Sequence, residues 1–110
     1  MPDTWHFAIN EDEFEGDDVL PVTLMGEEIA VYRAGGQFYA SDDLCTHGQA
    51  RLSEGVVVGN VIECPLHQGR FCLRTGKALS PPVVTGISTY PVKVAKGKVY
   101  VELQPAGERL

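Results

Sequence analysis

Cys45-Thr46-His47 and Cys64-Pro65-Leu66-His67 are the two places in this chain where metal chemistry is legible. Each offers one thiolate and one imidazole, separated by one residue in the first and two in the second, with 16 residues between His47 and Cys64. Two such pairs make a four-ligand site. Structural zinc accepts this number of Cys and His ligands, but its usual pattern puts both cysteines in one half and both histidines in the other. Here each half carries one of each.

That mixed arrangement suits a binuclear [2Fe–2S] cluster of the Rieske type, in which two cysteines hold one iron and two histidines the other. Two loops, each bringing a thiolate and an imidazole, can clamp both irons from opposite sides. Mononuclear zinc remains the alternative on ligand types alone. No catalytic residue is expected. The chain has no nucleophile elbow, phosphate loop, dinucleotide fingerprint or 2-His-1-carboxylate site with open positions.

Loops of this kind need strands to hold them, and the pattern on either side is one of short strands. Trp5–Ile9 reads as the first, and Asn10 before Glu11-Asp12-Glu13 suits the cap of one helical turn. His6 is expected to be a strand residue rather than a further ligand. The acids from Glu11 to Asp18 lack the spacing of a calcium loop and read as a solvated face. Val19–Leu24 is a strand placed at an edge by Pro21. Gly26-Glu27-Glu28 then turns the chain into Ile29–Arg33, and Gly35-Gly36 makes a tight hairpin into Gln37–Ala40.

Between the ligand loops, Val56-Val57-Val58 and Val61-Ile62-Glu63 flank Gly59-Asn60, a two-residue hairpin that sets the distance between the loops. Gly69–Arg74 is read as another strand, closed by Thr75-Gly76. Ser80-Pro81-Pro82 is a stiff crossing. Ile87–Val94 and Val99–Leu103 form a closing hairpin around Lys96-Gly97-Lys98, and Gln104–Leu110 a loose tail. The expected fold class is all-β: one domain, residues 1–110, with a cluster-binding subdomain at about 42–82 on a larger antiparallel base.

Composition bounds the function. A chain of 110 residues is one domain with a modest core. A formal charge of −6 argues against nucleic acid as a partner and leaves an acidic surface able to steer toward a basic one. No apolar run suits a membrane span, and Met1-Pro2-Asp3-Thr4 lacks the features of a signal peptide, so a cytoplasmic protein is expected. Of three cysteines, the motif takes two and leaves Cys72, so no disulfide framework is expected.

The string Cys45-Thr46-His47-Gly48, followed by Cys64-Pro65-Leu66-His67-Gln68-Gly69-Arg70-Phe71, resembles the Rieske-type ferredoxins of bacterial aromatic-ring-hydroxylating dioxygenase systems. The likeness extends through Thr75-Gly76-Lys77-Ala78, Pro81-Pro82 and Tyr90-Pro91-Val92-Lys93-Val94, and so over roughly residues 40–103. It implies the Rieske fold and a monomeric one-electron carrier. Its partners would be an NAD(P)H-dependent flavin reductase and a terminal ring-hydroxylating oxygenase. Carried over by position, Cys45 and Cys64 would hold the inner iron, and His47 and His67 the outer one. Phe71 would be a core residue and Cys72 a buried strand thiol. Backbone N–H groups of Gln49, Gln68 and Gly69 would face the cluster sulfurs.

Respiratory Rieske proteins carry an extra cysteine in each ligand loop, joined as a disulfide, and hydroxyl residues after the second histidine. Here Gly69 and Phe71 stand at the hydroxyl positions, which implies a low potential. A Rieske-type small subunit of an assimilatory nitrite reductase is the alternative function.

Overall fold

The computed structural model describes residues 4–45, 50–65, 69–80 and 86–103. Eleven strands and two single 3-10 turns make up their regular structure. The strands are β1 (Trp5–Asn10), β2 (Asp18–Leu24), β3 (Glu27–Ala34), β4 (Gln37–Asp42), β5 (Val56–Val58), β6 (Val61–Glu63), β7 (Arg70–Cys72), β8 (Ala78–Ser80), β9 (Thr89–Tyr90), β10 (Val92–Ala95) and β11 (Lys98–Glu102). They form three antiparallel sheets, ordered β1-β11-β10, β2-β3-β4-β9 and β5-β6-β7-β8. The all-β expectation holds, and β2 with its Pro21 is an edge strand.

Strand β3 explains how the layers stack. Its residues alternate in destination: Ile29 and Val31 enter one core with Phe14 and with Ile9, Val99 and Val101 of the β1-β11-β10 sheet. Ala30, Tyr32 and Ala34 enter the other core, with Leu52, Ile62, Phe71, Cys45 and Cys64. Both faces of β3 are therefore covered, which is why Ile29 to Tyr32 reads as an unbroken apolar run rather than an alternating one. Full burial of each large side chain here contributes about 1.5–3 kcal/mol. The β5-β6-β7-β8 sheet is thus packed on the β2-β3-β4-β9 sheet through one shared core.

Turn chemistry follows the sequence at the β3–β4 hairpin, where Gly35 and Gly36 both take positive φ, +59° and +81°. That is the requirement of the hairpin turn whose twist matches its strands. Two boundaries differ from expectation. The β2–β3 turn is Met25-Gly26, so β3 begins two residues before Ile29. Glu11–Glu13 does make a 3-10 turn after Asn10, but the Asn10 side chain makes no capping bond; the Glu11 N–H instead donates to the Gly97 carbonyl at 2.8 Å.

Larger differences occur where the chain changes sheets. Ile87–Val94 is not one strand. Tyr90 pairs with Ala40 in the base sheet, whereas Val92 pairs with Val101 in the outer one. Pro91 stands between them and has no N–H for a ladder, so the strand breaks there and only its carbonyl is used, by the Glu102 N–H at 2.9 Å.

The strand expected over Gly69–Arg74 is shorter, because the chain turns back after Cys72. The Gly76 N–H donates to the Cys72 carbonyl at 2.7 Å, and the Cys72 N–H to the Lys77 carbonyl at 2.9 Å. The turn delivers β8, which the sequence reading lacked. Gly76 is indispensable to it: φ is +80°, and a Cβ there would lie 2.2 Å from the Ile87 carbonyl oxygen. Pro81, Pro82 and Gln104–Leu110 lie outside the described residues.

Candidate metal centre

Cys45 and Cys64 open two loops that are closed in the same way. In the first, Leu44 pairs with Arg51 in an isolated antiparallel bridge, and the Cys45 N–H donates to the Ala50 carbonyl at 3.0 Å. In the second, Glu63 pairs with Arg70, and the Cys64 N–H donates to the Gly69 carbonyl at 2.7 Å. Each cysteine thus spends its own N–H on closing its loop, while its side chain turns into the core. Cys45 is 4% exposed and Cys64 fully buried, within the cluster that includes Leu52, Ile62 and Phe71.

This donor set fits the group the sequence implies. Both residues carry thiols rather than a disulfide. Two thiols from separate loops in one apolar core offer the soft ligands that iron–sulfur clusters and zinc select. His47 and His67 lie outside the described residues, as do Gln49 and Gln68. Gly69 is described; it is buried, and its carbonyl closes the second loop.

The first loop has an additional clamp that the sequence reading missed. Asp43 is buried, and its carboxylate accepts the Ser53 N–H at 2.8 Å and the Ser53 hydroxyl at 3.0 Å. Arg51 lies 3.5 Å from the same carboxylate and also pairs with Glu28. The Asp43 backbone takes part as well: its N–H donates to the Glu28 carbonyl at 3.1 Å, and its carbonyl accepts from Leu52 at 2.6 Å. Ser41-Asp42-Asp43 leads from the end of β4 into this loop, and no local signal in the sequence marks Ser53, Arg51 and Glu28 as partners of Asp43.

Behind the clamp, Tyr32 and Ser41 share a buried hydrogen bond of 2.8 Å, and the Ser41 hydroxyl donates to the Asp42 carbonyl at 2.9 Å. The Tyr90 hydroxyl donates to the Asp42 carboxylate. Burial pushes the Tyr32 phenol far up; the Ser41 bond pulls it back, and the charges at Asp43, Asp42 and Cys45 push it further up.

Other singled-out residues stand apart from the centre. His6 is half-buried in β1 opposite Val101, in the outer sheet. The turn Glu11–Glu13 is fully solvent-facing, as expected of a solvated acidic face. Phe71 is a core residue, as expected. Cys72 departs from expectation: it is half-buried, at the end of β7 where the chain turns. A hydrogen bond with the Thr75 side chain holds its thiol below the usual range, opposed by partial burial and aided by the Thr75 and Arg74 backbone and the Arg74 charge.

An all-β base with a small sheet presenting two loops, each rooted in a buried cysteine, sets two soft ligands for one metal centre. Residues 4–91 match the model of the Rieske [2Fe-2S] domain, and the chain belongs to that family. It is 50% identical over 103 residues to the ferredoxin component of the naphthalene 1,2-dioxygenase system of Pseudomonas aeruginosa, covering 94% of this chain and 99% of that one. Among solved structures, it resembles the ferredoxin of carbazole 1,9a-dioxygenase from Nocardioides aromaticivorans IC177, with a TM-score of 0.88 and 33% identity over 93% of this chain and all of that one. It also resembles a chain in the complex of reduced oxygenase and oxidized ferredoxin of carbazole 1,9a-dioxygenase, with a TM-score of 0.85, 40% identity and coverage of 92% and 94%.

Proposed function

We propose that the chain is a low-potential one-electron carrier of a ring-hydroxylating dioxygenase system. It takes electrons from an NAD(P)H-dependent flavin reductase and passes them to the terminal oxygenase. Cys45, His47, Cys64 and His67 hold the cluster, and no residue of the chain acts on substrate. The cluster, when bound, supplies a one-electron couple that two neutral imidazoles make easier to reduce than an all-cysteine site.

The chain's own residues supply everything else. The apolar core around Leu52, Ile62 and Phe71 keeps water from the cysteine side. The two loop closures fix where each ligand pair begins. With the cluster bound, the ring nitrogens of His47 and His67 that do not ligate iron would offer a route to a docked partner.

The observation that carries this reading is the pair of buried cysteines rooted in two alike loops, together with near full-length similarity to a dioxygenase ferredoxin. The complex of a related ferredoxin with its oxygenase supports the choice of recipient. Among the described residues, no helix is long and apolar enough to cross a membrane. The reading includes a monomer working in the cytoplasm as a single domain, with the cluster-binding part at about 42–82.

A mixture of NADH, flavin reductase, this protein and a terminal oxygenase provides the test. Oxygenase reduction should require this chain and proceed through one-electron bleaching of a Rieske spectrum. Transfer at the same rate without the chain, or a colourless zinc-loaded protein, would refute the reading.

A further inference from the structure

Asp43 is a buried carboxylate that the electron-carrier reading does not use. Such a group is costly to desolvate unless paired, and here it is held by the Ser53 N–H and hydroxyl with Arg51 beside it. Its position explains why it is there. The second ligand loop is the turn between β6 and β7, two strands in full ladder register within a four-stranded sheet. The first has only the Leu44–Arg51 bridge, outside any named strand. Asp43 replaces the missing ladder. Through backbone and side chain it joins the loop's entry at Asp43-Leu44 to its exit at Arg51-Leu52-Ser53, and both to Glu28 at the start of β3.

The same carboxylate brings charge close to the centre. Asp43 lies two residues before Cys45, and its backbone carbonyl accepts from the N–H of Leu52, which packs in the same core as Cys45 and Cys64. Arg51 offsets that charge incompletely, since its side chain is 44% exposed and is shared with Glu28. Adding an electron near a buried anion is opposed, because like charges repel most strongly where the medium is least polarisable.

We propose that Asp43 is the positioning residue of the first ligand loop, and that its buried charge holds the midpoint potential of the centre down. The proposal rests on the Rieske assignment above. The test uses the cluster-loaded full chain with Asp43→Asn, Ser53→Ala and Arg51→Gln, read by voltammetry and by hydrogen exchange of the Leu52 and Ser53 amides.

Asp43→Asn should raise the midpoint and Arg51→Gln should lower it, opposite signs that a purely structural role does not produce. Ser53→Ala keeps the charge, so the midpoint should stay while exchange quickens roughly fivefold, about 1 kcal/mol at 1.36 kcal/mol per tenfold. Midpoints unmoved by both charge variants, or moved in the same direction, would overturn the proposal, as would unchanged exchange in Asp43→Asn. Should Asp43→Asn not fold, Arg51→Gln decides alone: a fall supports the proposal, and no change or a rise overturns it. A wild-type protein without a Rieske spectrum would defeat the function reading itself, whereas an intact spectrum with unmoved variants defeats only the role of Asp43.

Discussion

The two ligand loops carry the same closure but are held by different means. The second grows out of a sheet: β6 and β7 pair from Val61↔Cys72 to Glu63↔Arg70, and Ile62 and Phe71 pack beneath. The first hangs from the end of β4 by a single bridge, and charged and hydroxyl side chains complete its support. Backbone ladders tolerate most single substitutions because each contributes only part of the hold. A side-chain clamp concentrates that hold in a few named atoms. The chain therefore has one robust loop and one that a point change can loosen.

The largest effect treats both loops alike. Cys45→Ser or Cys64→Ser should leave little or no assembled cluster, and His47→Ala or His67→Ala should abolish the Rieske spectrum. A native spectrum from any of the four would remove that residue from the ligand set and break the equivalence of the loops. Next comes the core under the second loop. Phe71→Ala should lower stability by about 3–5 kcal/mol in denaturant unfolding, since a fully buried ring leaves a cavity. Ser53→Ala should cost only about 1 kcal/mol, confined to amides of the first loop. If Ser53→Ala destabilised the protein as much as Phe71→Ala, the first loop would be no separate, locally clamped unit.

Much of this was legible in the residues. Type and spacing single out Cys45 and Cys64, and the structure buries both in one core; glycine pairs such as Gly35-Gly36 mark hairpins because few other residues take positive φ. What the sequence hid was long-range. The break at Pro91 was visible as a proline, but nothing local says that its two sides belong to different sheets. The Asp43 clamp joins Glu28, Arg51 and Ser53, residues brought together only by the fold. Cys72, expected as a buried strand thiol because the resemblance gives it no ligand role, is only half-buried, since alternation turns it away from the core that Phe71 and Leu73 enter.

Two smaller effects refine the contrast. If acidic residues steer docking, electron transfer to the oxygenase should slow as salt rises, because the screening length shrinks to about 8 Å at physiological ionic strength. Stopped-flow rates at graded salt test this, and a flat profile would leave the charge of −6 without a role in docking.

Cys72→Ser should keep the cluster. The folded thiol's pKa lies below its unfolded value of about 8.5, so ionisation favours the folded state. That contribution is complete above the unfolded pKa and is lost as pH falls through the folded one. The stability gap between wild type and Cys72→Ser, measured in denaturant, should therefore widen from pH 6.5 to pH 9. A constant gap would mean that the Thr75 contact does not favour the thiolate.

The central claim is a low-potential, one-electron carrier with no disulfide between its loops and no hydroxyl at Gly69 or Phe71. Protein-film voltammetry of the wild type addresses it directly. Rieske centres span about −150 to +300 mV, and a single one-electron wave near the lower end is the predicted result. A midpoint well above zero, or no one-electron wave, would contradict it.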